Sequence, residues 1–149
     1  MKPIHYLFAT GLGVGNIPPM PGTYGSLLGA AIFLLIQVYQ IEIKVVAILA
    51  VVVLGAYTAS KIEKTTGVND NNIIVIDEIA GMWITLLFVP MQLWWIISAI
   101  VLFRIIDIVK PYPIKKIERL KRGYGVMLDD VAAGLYAGTV LWGTGRLLS

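Results

Sequence analysis

Residues 77–110, DEIAGMWITLLFVPMQLWWIISAIVLFRIIDIVK, decide the fold. The stretch opens on Asp77 and Glu78, closes on Arg104, Asp107 and Lys110, and carries no charge between Glu78 and Arg104. Pro90 divides it, and a proline inside a helix removes a hydrogen bond and clashes with the preceding turn. The stretch therefore predicts two apolar helices, 79–89 and 93–109, meeting at a proline corner. Such a hairpin returns the charges at its two ends to one level. Each arm is shorter than the roughly 20 residues that span a bilayer. The hairpin either crosses with its polar ends in the interface or enters only partway.

Outward from the hairpin the pattern repeats. Residues 23–41 are almost wholly apolar, the polar exceptions being Thr23, Ser26, Gln37 and Gln40, and a short break is expected at 42–44. A second apolar stretch covers 45–60 and ends in a polar helical turn at 61–64, followed by the turn-rich loop TTGVNDNN at 65–72. After the hairpin come a basic connector, 110–124, and a last apolar stretch that opens on Asp129 and Asp130 and runs to Leu148. Of the 149 residues only 14% are charged and 58% are hydrophobic, whereas a soluble domain carries about a quarter as charges. The expected fold is all-α: a polytopic membrane helical bundle of about five apolar helices, including the short proline-cornered hairpin, in one domain over 1–149. No cysteine is present, which excludes disulfides and thiolate metal sites. Lys2 is the only early charge and residues 4–9 are too short for a signal core, so no cleaved signal peptide is expected. There is no internal repeat.

Five alternating helices put the N-terminus, 61–78 and 104–130 on one side. That side collects Lys2, Lys61, Lys64, Arg104, Lys110, Lys115, Lys116, Arg119, Lys121 and Arg122, against only Lys44 and Arg146 on the other. Loops rich in Lys and Arg stay cytoplasmic, which orients the bundle. The basic run 115–122 then serves as a topological anchor that also attracts anionic lipid, and no nucleic-acid signature remains. No protein partner is indicated.

The same alternation brings Asp77, Glu78, Asp107, Asp129 and Asp130 to the cytoplasmic ends of their helices. Each pair also has a local reading. Acids in a first turn complement the helix dipole, and Arg104 stands three residues before Asp107, at salt-bridge spacing. Taken together, five carboxylates beside Arg104 and Lys110 at a membrane surface are costly without a neutralising partner. Hard divalent cations such as Mg²⁺ take carboxylate oxygens together with waters and phosphate oxygens. Arg and Lys offset phosphate charge. The glycine run at 11–15 lacks the preceding strand and spacing of a dinucleotide loop. It reads equally as a phosphate-binding nest or as an irregular entry to the first helix. His5, the sole histidine, has no evident nucleophilic partner and reads as structural. The alternative function is a small membrane transporter with a carboxylate-lined cation site.

Four blocks in order, TGLGVGNIPPMPGTYGS (10–26), DEIAGMWIT (77–85), FRIIDIVKPYPI (103–114) and GVMLDDVAAG (125–134), resemble the phosphatidylglycerophosphatase A family. The resemblance implies a Mg²⁺-dependent phosphatase that converts phosphatidylglycerophosphate to phosphatidylglycerol in the bacterial cytoplasmic (inner) membrane, multi-pass, with its site facing the cytoplasm. Carried onto matching positions, it makes Asp77, Glu78, Asp129 and Asp130 candidates for catalysis and metal binding, with Asp107 as a further metal candidate. Arg104 and Lys110 would hold the phosphate, and Thr23 would offer a hydroxyl. Direct attack by water and an aspartyl-phosphate intermediate both fit this pattern.

Overall fold

A computed structural model describes residues 3–120 and 123–148. Lys2, Lys121 and Arg122, counted above among the cytoplasmic basic residues, lie outside the described residues. Among the described residues all regular structure is helical: α1 (Pro3–Ala9), α2 (Pro21–Ile36), α3 (Ile41–Thr66), α4 (Ile76–Leu86), α5 (Leu93–Val109), the single turn α6 (Ile114–Ile117) and α7 (Gly123–Leu148). A 3₁₀ turn, Val14–Asn16, interrupts the glycine-rich segment expected to be irregular.

Local chemistry explains most of the boundaries. Pro21 opens α2, where a missing amide proton costs nothing. Gly67 ends α3 at φ 72°, donating its N–H to the Glu63 carbonyl, the left-handed cap that glycine adopts without strain. Helix α5 has the bounds expected from sequence and stops at Lys110, itself left-handed at φ 47°, just before Pro111.

Several boundaries differ from expectation. The first arm of the hairpin, expected at 79–89, is α4 at Ile76–Leu86, so Asp77 and Glu78 lie inside its first turn and the corner before Pro90 is longer. The break falls at 37–40 instead of 42–44, because Glu42 and Lys44 belong to the first turns of α3. Glu42 suits the positive end of that helix, and Lys44 Nζ donates to the Gln37 carbonyl at the end of α2. Helix α7 begins at Gly123, so Asp129 and Asp130 lie in its second turn and are not first-turn acids.

Helix α4 is the axis of the molecule. It touches α2, α3, α5 and α7, and every residue from Ile76 to Leu86 except Glu78 is buried. Glycines permit this. A Cβ on Gly25 or Gly29 of α2 would come within 2.7 Å of Val75 Cβ or 3.0 Å of Ile79 Cα. A Cβ on Gly134 of α7 would lie 2.4 Å from the Gly81 carbonyl oxygen, so α4 and α7 meet backbone to backbone. Trp83 Nε1 donates to the Gly29 carbonyl (2.8 Å), and Thr85 Oγ1 donates toward the carbonyls of Gly81 and Gly134.

The outer surface is apolar. Val46, Leu49 and Val53 on α3 and Trp94, Val101 and Ile108 on α5 are 53–77% exposed, an extent that water-soluble monomers rarely present. Among the described residues one helix, Ile41–Thr66, is long and apolar enough to cross a membrane. Helix α4, at eleven residues, measures about 16 Å against a hydrocarbon core of about 30 Å. The structure thus gives an all-helical fold with one long apolar helix, and α4 is a buried central element, too short to cross alone.

Candidate active site

The first turn of α4, the second turn of α7, the C-terminal end of α5 and the start of α2 converge. Asp77, Glu78 and Asp130 each direct a carboxylate oxygen into one spot, all within 4.8 Å of one another. Asp77 is 5% and Asp130 3% exposed. Glu78 Oε2 and Asp130 Oδ2 are buried with no hydrogen-bond partner. Three converging oxygen donors, two of them with unpaired atoms, fit a hard divalent cation. Such a charge would relieve both their mutual repulsion and their lost hydration.

The other two expected carboxylates are engaged elsewhere. Asp107 Oδ2 accepts from Arg104 Nη1 at 2.5 Å, and the same nitrogen lies 3.8 Å from Glu78 Oε1. Arg104 Nε is buried without a partner. Asp129 Oδ2 accepts from Lys110 Nζ at 2.6 Å, while its Oδ1 accepts the N–H of Asp130 at 2.9 Å. The five acids therefore divide into three that converge, of which Glu78 also lies within ion-pair distance of Arg104, and two that each hold a cation at hydrogen-bond distance. Burial alone would lower the Lys110 pKa, but its hydrogen bonds to Asp129 and Glu118 outweigh burial and hold it above the usual lysine range.

Three features of the site were missed in the sequence. A Cβ on Gly22 would fall 2.3 Å from Glu78 Oε1 and 2.9 Å from Arg104 Nη2. The PGT block thus meets the site through Gly22, with the half-buried Thr23 one residue on. The only signal was a glycine directly after a helix-opening proline. The second feature is the Gly81–Gly134 contact that seats Asp130 beside α4. The third is Glu118, which binds Lys110 but stands among Lys115, Lys116 and Arg119 and was absorbed into the basic anchor. His5 packs edge-on against Tyr57, with ring centroids 5.5 Å apart, as its structural reading expects.

A family model described as phosphatidylglycerophosphatase A matches residues 7–144. The chain belongs to the phosphatidylglycerophosphatase A family. Within it, the chain is 41% identical over 145 residues to the phosphatidylglycerophosphatase A of Haemophilus influenzae, covering 95% of this chain and 88% of that one. It is 36% identical over 143 residues to the Escherichia coli protein of the same name, covering 95% and 83%. A protein of Bacteroides thetaiotaomicron described as a putative phosphatidylinositol-3-phosphatase is 44% identical over 142 residues, covering 88% and 87%. No solved structure matches. Members of the phosphatidylglycerophosphatase A family are phosphoric monoester hydrolases, which does not favour the transport alternative. The matched span contains all the converging carboxylates, Arg104 and Lys110.

Proposed function

We propose that this enzyme hydrolyses the terminal phosphate of phosphatidylglycerophosphate, releasing phosphatidylglycerol and inorganic phosphate, with Mg²⁺ held by Asp77, Glu78 and Asp130. The observation that carries this reading is the convergence of those three carboxylates, two of them with unpaired oxygens, beside Arg104, with Lys110 paired to Asp129, the residue before Asp130. A divalent cation held there supplies positive charge that polarises a phosphoryl oxygen. The side chains do the rest. Arg104, whose Nη1 is tied to Asp107, keeps Nε for a phosphate oxygen. Lys110 offers a second, fixed charge, and Thr23 offers its hydroxyl. Water attacks phosphorus in line as the P–O bond to glycerol breaks; one carboxylate of the cluster takes the water's proton and delivers it to the departing glycerol oxygen. Asp107 and Asp129 serve by orienting the two cationic side chains.

In the same reading the enzyme sits in the bacterial inner membrane as a multi-pass protein, with its acyl substrate chains in the bilayer and its site facing the cytoplasm. The apolar exposed faces of α3 and α5 support lipid contact. The charge distribution supports the orientation. The Bacteroides relative bears the name of a different lipid phosphatase, so headgroup choice is tested directly. Purified protein in mixed micelles is expected to release phosphate from phosphatidylglycerophosphate at least about tenfold faster than from phosphatidylinositol 3-phosphate. That is a modest selectivity for a site that pairs buried polar groups with its substrate. Faster release from the inositol lipid would reassign the substrate. Cation flux in proteoliposomes without phosphate release would restore transport.

A further inference from the structure

Lys110 is held with unusual care for a lysine at a helix end. Its backbone is left-handed, φ 47° and ψ 64°, a conformation that costs a non-glycine residue free energy and that clusters at functional positions. Its ammonium is gripped from two sides, by Asp129 Oδ2 at 2.6 Å from α7 and by Glu118 Oε1 at 2.8 Å from the turn after α6. The two partners differ in setting. The Asp129 side chain is 4% exposed, and that of Glu118 is 35% exposed. Glu118 also borders a polar cavity of about 460 Å³ that is lined by Glu63, Asn69, Asp70 and Arg119 as well.

We propose that Glu118 is a positioning residue of the phosphatase reaction, acting through Lys110. This rests on the function proposed above. An ammonium has three donors. Two go to Asp129 and Glu118, and together these anchors triangulate the nitrogen, leaving one N–H for a phosphate oxygen. With Asp129 as sole anchor, a four-carbon stem with several rotatable bonds lets the charge swing away from the site. Small misplacements of a charge that stabilises a transition state cost large factors in rate. Glu118 supplies the second anchor from a separate element, so the connector between α5 and α7 becomes part of the active centre. That is a reason for an acid to stand within a run that is otherwise basic. The two carboxylates also keep Lys110 protonated despite its burial.

A double-mutant cycle tests this. Glu118→Ala is expected to lower kcat/KM about thirtyfold, mostly through kcat, and Glu118→Gln less, because its carbonyl oxygen still accepts a hydrogen bond. Lys110→Met is expected to lower it further. The Lys110→Met/Glu118→Ala double variant should be no worse than Lys110→Met alone, since Glu118 acts only through the lysine. Losses that multiply in the double variant overturn the proposal. A second readout needs no turnover: the rate of amine labelling of Lys110 by an acylating reagent, followed by mass spectrometry of the peptide. Freeing the ammonium from Glu118 should speed labelling in Glu118→Ala and, to a lesser degree, in Glu118→Gln. Unchanged labelling in both variants overturns the grip itself, whether or not the wild type hydrolyses the lipid. Absent hydrolysis with faster labelling would instead overturn the proposed substrate.

Discussion

Replacing Asp130 by Asn is expected to lower kcat/KM for phosphatidylglycerophosphate about a thousandfold, the scale seen when a group that stabilises transition-state charge is removed from a closed site. Asp130 comes from α7, whereas its two partners in the cluster are neighbours on α4. The Asn side chain would present one neutral oxygen and one N–H donor where an anionic oxygen now points, and that donor repels a cation. Stability should not suffer in step. Asp130 Oδ2 has no hydrogen-bond partner to lose, and removing one charge from a cluster of buried carboxylates relieves repulsion. Phosphate release and thermal denaturation in detergent, measured on the same preparations, check the two halves together. A folded Asp130→Asn enzyme with turnover near that of the wild type would remove Asp130 from the site.

Gly134→Ala should act through the fold. Its new methyl would lie 2.4 Å from the Gly81 carbonyl oxygen and 3.1 Å from Gly81 Cα. These are backbone atoms that cannot rotate away, so α4 and α7 must separate. Overpacking of this kind costs about 1–3 kcal/mol. Because Asp130 lies one helical turn from Gly134, the same separation withdraws it from Asp77 and Glu78, and activity should fall more than stability alone explains. Gly143→Ala is the matched control. It lies in the same helix with nothing within 4 Å of the added methyl, and alanine there should be neutral or stabilising by about 0.5–1 kcal/mol. Denaturation midpoints in detergent compare the pair. Equal midpoints for the two variants would contradict the backbone contact.

The parts of the structure legible in the sequence were those governed by local chemistry. Helix α5 could be read from Pro90 to Pro111 because prolines bracket it, and the Arg104–Asp107 pair could be read because a helix places residues three apart side by side. The layer of acids followed from helix alternation. What escaped depends on contacts between elements. Gly123 fell in the connector expected at 110–124, and Gly125 lay between that connector and the apolar stretch opening on Asp129, in keeping with the low helix propensity of glycine. In the structure they lie within α7, where a Cβ would come 2.5 Å from Ser60 N or 2.4 Å from the Leu120 carbonyl oxygen. Close packing overrides propensity there and starts the helix early. The division of the acids into a converging trio and two that hold a cation at hydrogen-bond distance was equally hidden, because Lys110 and Asp129 are 19 residues apart and meet only through the fold.

The most direct test of the metal-centred site is phosphate release from phosphatidylglycerophosphate by the purified wild-type enzyme, first in EDTA and then after Mg²⁺ is added back. Release should stop in EDTA and return with Mg²⁺. Undiminished release in EDTA by folded enzyme would contradict a metal-dependent site at Asp77, Glu78 and Asp130.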